Sequence, residues 1–136
     1  MRSLKDIPIH ALSPDEILTG QAEAVLAEVA EMLGRLLQTG KGDSIDLRSL
    51  PLSLADRVWL DERLGRGEVE ILLDAGGNST LTETAYSGVW KVVHSDMEGR
   101  VVAEFVEVGY VPDIVLPTGL DIQKSCHKLQ SNLKQI

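Results

Sequence analysis

The sequence has few of the residues from which metal sites, disulfide frameworks and nucleophilic active sites are built. It contains one cysteine, Cys126, so no disulfide can form within the chain. Its three histidines, His10, His94 and His127, show no H-x-H or H-x-x-x-H spacing. Because proteins without disulfides are typical of reducing compartments, we expect a cytoplasmic protein.

Long apolar runs are also missing. No run approaches the roughly 20 residues that a membrane-spanning helix requires, so we expect no membrane insertion. Residues 1–16, MRSLKDIPIHALSPDE, contain no apolar signal-peptide core. Aromatic residues make up 4% of the chain, so the core must be mainly aliphatic.

Basic residues are outnumbered by acidic ones. The chain has 13 Lys and Arg against 21 Asp and Glu, a net charge of −8. Such a surface repels phosphate backbones, which argues against nucleic acid as a partner. Residues 1–117 carry 10 basic and 20 acidic groups, a net of −10, whereas residues 118–136 carry three lysines and one aspartate, a net of +2. The acidic part suits basic peptides, although a merely solvated surface would give the same count.

Alternating apolar and polar residues predict a small antiparallel sheet between residues 67 and 109. The expected strands are residues 69–73, 80–85, 89–94 and 101–108. The glycine-rich stretch 75–79 is predicted to be a hairpin turn. A phosphate-binding loop would need a helix after it, and the following residues alternate like a strand.

Apolar residues recur at helical spacing both before and after the predicted sheet in the sequence. Ser13-Pro14-Asp15-Glu16 predicts the start of an amphipathic helix over residues 14–38, ended by glycines 40 and 42. A capping-box pattern at Ser53 to Asp56 predicts a short helix over residues 54–64. Its expected apolar face consists of Leu54, Val58, Trp59 and Leu64. Residues 1–12 are expected to form an extended arm and residues 43–50 a short strand or extended segment. Residues 111–115 are expected to form one helical turn opened by Pro112.

The C-terminal segment 118–136 is predicted to be a helical tail that opens with a further capping box at Thr118. Its apolar residues follow four- and three-residue spacings, which form a heptad seam over two repeats. The seam consists of Ile122, Cys126, Leu129, Leu133 and Ile136. We expect it to dock on the domain itself or across a homodimer. The fold class is therefore α+β, a single domain over residues 1–136 with a core at 13–117.

No catalytic group, metal site or cofactor site is predicted from the residues. Neighbouring helical positions such as Cys126 and His127 point about 100° apart and chelate one ion poorly. The serines lack a nucleophile-elbow context, and Glu68 and Glu70 are expected to face solvent. Trp90 has two interpretations: a core tryptophan of the sheet, or a partly exposed anchor for a partner.

Three segments resemble the HupH/HyaF family of hydrogenase expression/formation proteins. Residues 82–92 (TETAYSGVWKV) resemble that family's QE(S/T)-x-(F/Y)-x-GVW-(R/K)-V segment. Residues 107–115 (EVGYVPDIV) resemble its (I/V)EVGD(I/V)P segment, and residues 65–69 (GRGEV) match LGxGEV. The resemblance covers residues 13–117, with Thr82 in place of glutamine and Tyr110 in place of an acidic residue.

The resemblance implies a non-enzymatic accessory protein or chaperone in the maturation of an uptake nickel–iron hydrogenase. It implies binding of the small-subunit precursor, which carries a twin-arginine export signal, or of other hydrogenase maturation proteins. The alternatives are a dimeric interaction module of another complex and a small enzyme. We expect a partner surface on the two family-like segments, with acids attracting the arginines. Its residues are Thr84, Tyr86, Trp90, Glu104, Glu107, Tyr110 and Asp113.

Overall fold

The fold is α+β, as the sequence predicts, and consists of three α-helices and one five-stranded antiparallel sheet. A computed structural model describes residues 13–74 and 76–135, so the predicted arm at 1–12 lies outside the described residues. The helices are α1 (Gln21–Thr39), α2 (Leu54–Leu64) and α3 (Gly119–Leu133). The strands are β1 (Asp43–Asp46), β2 (Glu70–Asp74), β3 (Asn78–Glu83), β4 (Val89–Ser95) and β5 (Val101–Val108).

The strand order is β1-β5-β4-β3-β2, and each neighbouring pair is antiparallel. Three hairpins join β2 to β5 in sequence. The hairpin between β2 and β3 pairs Asp74 with Asn78, which confirms that the glycine-rich stretch is a turn. Residues 43–50, for which the sequence allows a short strand or an extended segment, contain strand β1 followed by a 3-10 turn at Leu47–Ser49. It extends the sheet by pairing with β5, so β1 and β2 form the two sheet edges.

Helices α1 and α2 cover one face of the sheet. The alternation of side chains along each strand sends Val89, Val106 and Val108 to this face. They are fully buried against Met32 and Leu36 of α1. This cluster is the main core, and its predominance of aliphatic residues agrees with the scarcity of aromatics in the sequence.

The opposite face carries a smaller cluster built on Leu81, Trp90 and Val92, which are all buried. Phe105 and Val115 are half-buried and pack against it. Val115 lies in the predicted turn, which is a 3-10 turn at Asp113–Val115. The segment after β5 therefore folds back over the end of this face.

Helix α1 begins later than the sequence pattern predicts. Residues Pro14–Glu16 form a separate 3-10 turn, and the α-helix starts at Gln21. The break falls at Gly20, whose φ of 88° is left-handed and not helical. The predicted C-terminal end is confirmed, because Gly40 adopts φ 73° and its N–H donates to the Leu36 carbonyl.

The bounds and capping box of α2 are confirmed, but its predicted apolar face is wrong in part. The helix buries Asp56, Leu60 and Leu64, whereas Leu54 is 59% and Val58 50% exposed. The carboxylate of Asp56 turns inward because it accepts hydrogen bonds from buried backbone. An apolar face of α2 is left on the surface as a result.

Helix α3 also begins with the predicted capping box at Thr118 and Asp121. Every described residue of α3 is exposed, including Ile122, Leu129 and Leu133 at about 60%. The structure therefore does not dock the described part of the tail seam onto the domain's own surface.

Candidate partner-binding site

The two longer segments that resemble the family meet at one end of the sheet. Strands β4 and β5 pair there, with Val89 opposite Val108 and Trp90 opposite Glu107. The indole Nε1–H of Trp90 donates to the Gly109 carbonyl oxygen at 3.2 Å. This bond crosses between the strands and fixes the chain where it leaves β5.

Glycines allow this close approach of backbone. The Gly109 N–H donates to the Gly88 carbonyl oxygen at 2.9 Å, which extends the β4–β5 ladder beyond the strands. Gly88 has φ 89°, a backbone conformation that residues with a Cβ rarely adopt. A glycine is therefore needed at the first position of the GVW segment, because the chain turns sharply there into β4.

Trp90 is 4% exposed, so the core interpretation is confirmed and the side chain cannot anchor a partner in this conformation. Thr84 is also buried, at 3%, and its hydroxyl bonds the backbone of Tyr86. Of the predicted partner residues, Tyr86 and Tyr110 are 53% and 69% exposed and remain available for contact.

The predicted acidic group is divided between the two faces of the sheet. Glu104 lies on the helix side, where its carboxylate pairs with the Arg57 guanidinium of α2 at 2.9 Å. Glu107 lies on the opposite face, and its Oε2 accepts from the Asp113 N–H at 2.9 Å. Residues three apart in a strand point in opposite directions, so Glu104 cannot act together with Glu107 and Asp113.

A recess of about 240 Å³ lies at this end of the sheet, and its lining includes three acids, Asp43, Glu107 and Asp113. Asp43 lies opposite Val108 on the helix-side face, whereas Glu107 lies on the other face, so the recess takes its lining from both faces at the sheet edge. We call the three acids and the space between them the acidic recess. Sequence reasoning missed Asp43 because β1 was not assigned a partner strand. The approach of this strand is close, since a Cβ added to Gly42 would stand 2.2 Å from the Val108 carbonyl oxygen.

An apolar groove continues from the acidic recess. A cavity of about 210 Å³ shares Gly42 and Asp113 with the recess and is lined also by Leu36 and Tyr110. It leads to a cavity of about 420 Å³. That second cavity, which we call the apolar groove, is lined by Leu33, Leu36, Leu37, Glu83, Ser87, Gly88 and Tyr110. Charged and apolar surfaces are thus adjacent at the end of α1.

The opposite sheet face holds one contact between a serine and a histidine. Ser79 Oγ lies 2.6 Å from His94 Nδ1, and the two residues are directly opposite each other in β3 and β4. The register of the strands explains this contact, which sequence reasoning did not foresee. In residues 13–74 and 76–135, no three His, Cys, Asp or Glu side chains are placed to share a metal ion. None of the helices described is long and apolar enough to cross a bilayer.

The structure is thus a small α+β domain that carries an acidic recess beside an apolar groove. The model of the HupH hydrogenase expression protein family, for its C-terminal conserved region, matches residues 19–136. The chain belongs to this family, and the resemblance inferred from the sequence is confirmed. The matched region includes the tail, which the sequence resemblance did not cover.

Several curated proteins share this similarity. The hydrogenase expression/formation protein HoxQ of Azotobacter vinelandii is 31% identical over 119 residues, which are 86% of this chain and 41% of that protein. HupH of Rhodobacter capsulatus is 30% identical over 85% of this chain and 42% of its own length. The hydrogenase-1 operon protein HyaF of Escherichia coli is 31% identical over 63% of this chain. The chain thus spans about two fifths of the first two relatives.

A solved structure shares the fold. The hydrogenase expression protein HupH from Thiobacillus denitrificans matches with a TM-score of 0.81 and 40% identity. The match covers 87% of this chain and 98% of that one. The α+β arrangement described above is therefore that of a known member of the family.

Proposed function

We propose that this chain is a non-enzymatic accessory protein in the maturation of an uptake nickel–iron hydrogenase and binds the small-subunit precursor in the cytoplasm. Membership of the hydrogenase expression protein family supports the pathway. The observation that carries the binding role is the acidic recess beside the apolar groove, on the segments that bear the family resemblance. The relatives are named for hydrogenase expression and formation.

The recess matches the charge of a twin-arginine signal. Asp43, Glu107 and Asp113 are three of the six described residues that line this recess of about 240 Å³, and none of the six is basic. Arginine binds carboxylates through paired, charge-assisted hydrogen bonds that a lysine cannot reproduce. The recess is open to solvent, so its attraction is screened by salt.

The groove matches the second part of such a signal. Export signals place an apolar stretch after the basic residues. With arginines in the recess, the following apolar residues reach Tyr110 and then Leu33 and Leu37 of the apolar groove. Leu37 is 82% exposed and Tyr110 69%, so both have apolar surface to bury on binding.

The outer edge of β1, which pairs with no other strand among residues 13–74 and 76–135, adds a third component. Asp43 and Ser44 line the recess and belong to a strand that has a partner on one side, β5. An extended peptide can add main-chain hydrogen bonds to such an edge. The bound signal would then lie along β1 with its arginines toward Glu107 and Asp113.

The test is a calorimetric titration of a synthetic small-subunit signal peptide into the wild type and into the double variant Asp43→Asn/Glu107→Gln. Both substitutions remove charge while keeping a side-chain oxygen acceptor. We expect the variant to bind at least about tenfold more weakly, and wild-type affinity to fall as salt rises. A peptide with two lysines in place of the arginines should bind more weakly than the native one.

The matched control is Asp74→Asn/Glu98→Gln, which removes two exposed acids at the opposite end of the sheet. It should bind like the wild type. Equal binding by both double variants, or no binding by the wild type, would overturn the proposed site. If instead the protein recovers subunits of an unrelated complex from its host and no hydrogenase component, the alternative of an interaction module elsewhere is correct.

A further inference from the structure

Two exposed apolar surfaces lie outside the acidic recess and the apolar groove and have no role in the proposed binding of a precursor. One is the seam of α3. The other is the face of α2 left on the surface when Asp56 turns inward. The two surfaces carry opposite charge at their borders.

The first surface is a groove on α2. Leu18, Leu54 and Val58 are 57%, 59% and 50% exposed, and with Trp59 they line a cavity of about 480 Å³. We call this the α2 groove. Its remaining lining is Ala55 and three acids, Asp15, Glu16 and Glu62. An apolar floor with an acidic rim suits an amphipathic helix that carries basic residues.

The second surface is such a helix. The described seam residues Ile122, Cys126, Leu129 and Leu133 form one stripe of α3. Lys128 lies on one side of this stripe and Lys134, just after the helix, on the other, each about 120° from its centre at 3.6 residues per turn. Their long side chains can reach the border of a groove that holds the stripe.

The lengths of the two surfaces also agree. The stripe from Ile122 to Leu133 rises about 16 Å along the helix axis, at 1.5 Å per residue. Helix α2, with 11 residues, has the same length of about 16 Å. A helix of 15 residues with no tertiary contact is marginal in water, so α3 requires a partner surface to be stable.

We infer that α3 of one copy of this chain docks in the α2 groove of a second copy, and that the exchange is reciprocal. A two-fold dimer of this kind closes on itself with two identical contacts. The net charge of +2 in residues 118–136 and of −10 in residues 1–117 favours this contact. Two α3 helices paired with each other would instead bring like charges together.

The position of α3 in the chain favours a second copy over the chain's own groove. Leu116, just before α3, lies beside Leu36 and Gly40 at the C-terminal end of α1. The α2 groove lies at the other end, since Leu18 and Trp59 adjoin Gly20 and Ala22. The 19 residues of α1 separate these ends by about 28 Å, whereas α3 is about 22 Å long.

The test is sedimentation velocity of the full chain and of two variants. Val58→Glu places a charge in the groove, and Leu129→Glu places one in the stripe. Both positions are half or more exposed, so the fold should survive, as circular dichroism will show. We expect a wild-type dimer whose dissociation constant rises at least about tenfold in each variant. Leu72→Glu, an exposed leucine on β2, is the matched control and should dimerise like the wild type.

Mixing the two variants separates reciprocal exchange from other arrangements. The Val58→Glu chain keeps an intact helix and the Leu129→Glu chain keeps an intact groove, so the mixture has one complete contact and should form a heterodimer. A monomeric wild type, a dimer that survives Val58→Glu, or a mixture that stays monomeric would each overturn the inference. The titration of the signal peptide is a separate test, because its variants change the acidic recess and leave both the α2 groove and the stripe of α3 intact.

Discussion

At the scale of single residues, Asp56 joins two parts of the chain that sequence patterns treat separately. Its carboxylate accepts from the N–H of Thr19 at 2.9 Å and of Ser53 at 3.0 Å, and also from the Thr19 hydroxyl. The Ser53 hydroxyl in turn donates to the Ile17 carbonyl oxygen at 2.6 Å. The segment before α1 is thus fastened to the start of α2.

We expect Asp56→Ala to lower the free energy of unfolding by about 2–4 kcal/mol. It removes the capping box and leaves the buried N–H of Ser53 and the partly buried donors of Thr19 without their acceptor. Urea unfolding measures the change, with the exposed Glu62→Gln as the control. A loss below about 0.5 kcal/mol would mean that water replaces the carboxylate freely.

The same residue should give the protein an acid-sensitive component of stability. Burial raises the pKa of Asp56, but the hydrogen bonds from Thr19 and Ser53 outweigh burial, so the pKa lies below the ordinary value of 3.8. A carboxyl whose pKa is lower in the folded protein than in the unfolded chain stabilises the fold at pH values above the unfolded-chain pKa. This contribution is lost as the pH falls through the pKa of the folded protein. Unfolding followed from pH 5 downward should show a steeper loss of stability in wild type than in Asp56→Asn.

The sequence predicts the positions of some residues of the candidate site and not of others. For Trp90 the sequence allows both a core position and a partner anchor, and the structure buries the side chain. The predicted partner surface combines Glu104 with Glu107 because they are close in sequence. Their spacing of three residues in one strand places them on opposite faces of the sheet. Asp43 could not be found from local pattern, because its position depends on the pairing of β1 with β5.

At the scale of elements, capping patterns in the sequence predict most helix ends. They fail at the start of α1, which a tertiary contact determines. The capping boxes at Ser53 and Thr118 are present as predicted. The sequence Ser13 to Glu16 also has a helix-start pattern, yet Gly20 turns the chain and the helix starts after it. The contact of Thr19 with Asp56 fixes this turn, and no local signal announces it.

The entry to β1 depends on a glycine. A Cβ at Gly42 would stand 2.2 Å from the Val108 carbonyl oxygen, so Gly42→Ala must push β1 away from β5. We expect it to cost about 2–3 kcal/mol and to weaken binding at the acidic recess. Gly40→Ala is the control: its φ of 73° is strained for alanine but its surroundings are open, so we expect a cost of about 1 kcal/mol and unchanged β1 pairing. Hydrogen exchange of residues 43–46 distinguishes the two variants.

Helix α3 should depend on its partner surface for order. A peptide of residues 117–136 is expected to be mostly unfolded in water, because its short helix buries nothing alone. In the full chain, amides of α3 should become protected from exchange as concentration rises and dimers form. Protection that is independent of concentration, or strong helicity of the peptide by circular dichroism, would show that α3 needs no docking.

At the scale of the whole molecule, the proposed precursor site and the proposed α2 groove lie at opposite ends of α1. The acidic recess and apolar groove lie at its C-terminal end, and the α2 groove lies at its N-terminal end. This arrangement would let a dimer keep both recesses open for precursor. The sequence predicted the fold class, the family and the hairpins, because these follow from local period and motif. The place of β1, the exposed face of α2 and the joining of the recess to the groove depend on contacts between distant segments.

The most direct test of the proposed function is titration of a purified hydrogenase small-subunit precursor, with its leader intact, into the wild-type chain. We predict a saturable complex that weakens with salt and is lost in Asp43→Asn/Glu107→Gln, while Asp74→Asn/Glu98→Gln binds normally. The large subunit, used as the comparison protein, should not bind. Failure of the wild type to bind the precursor, or equal binding of precursors with and without the leader, would contradict the account.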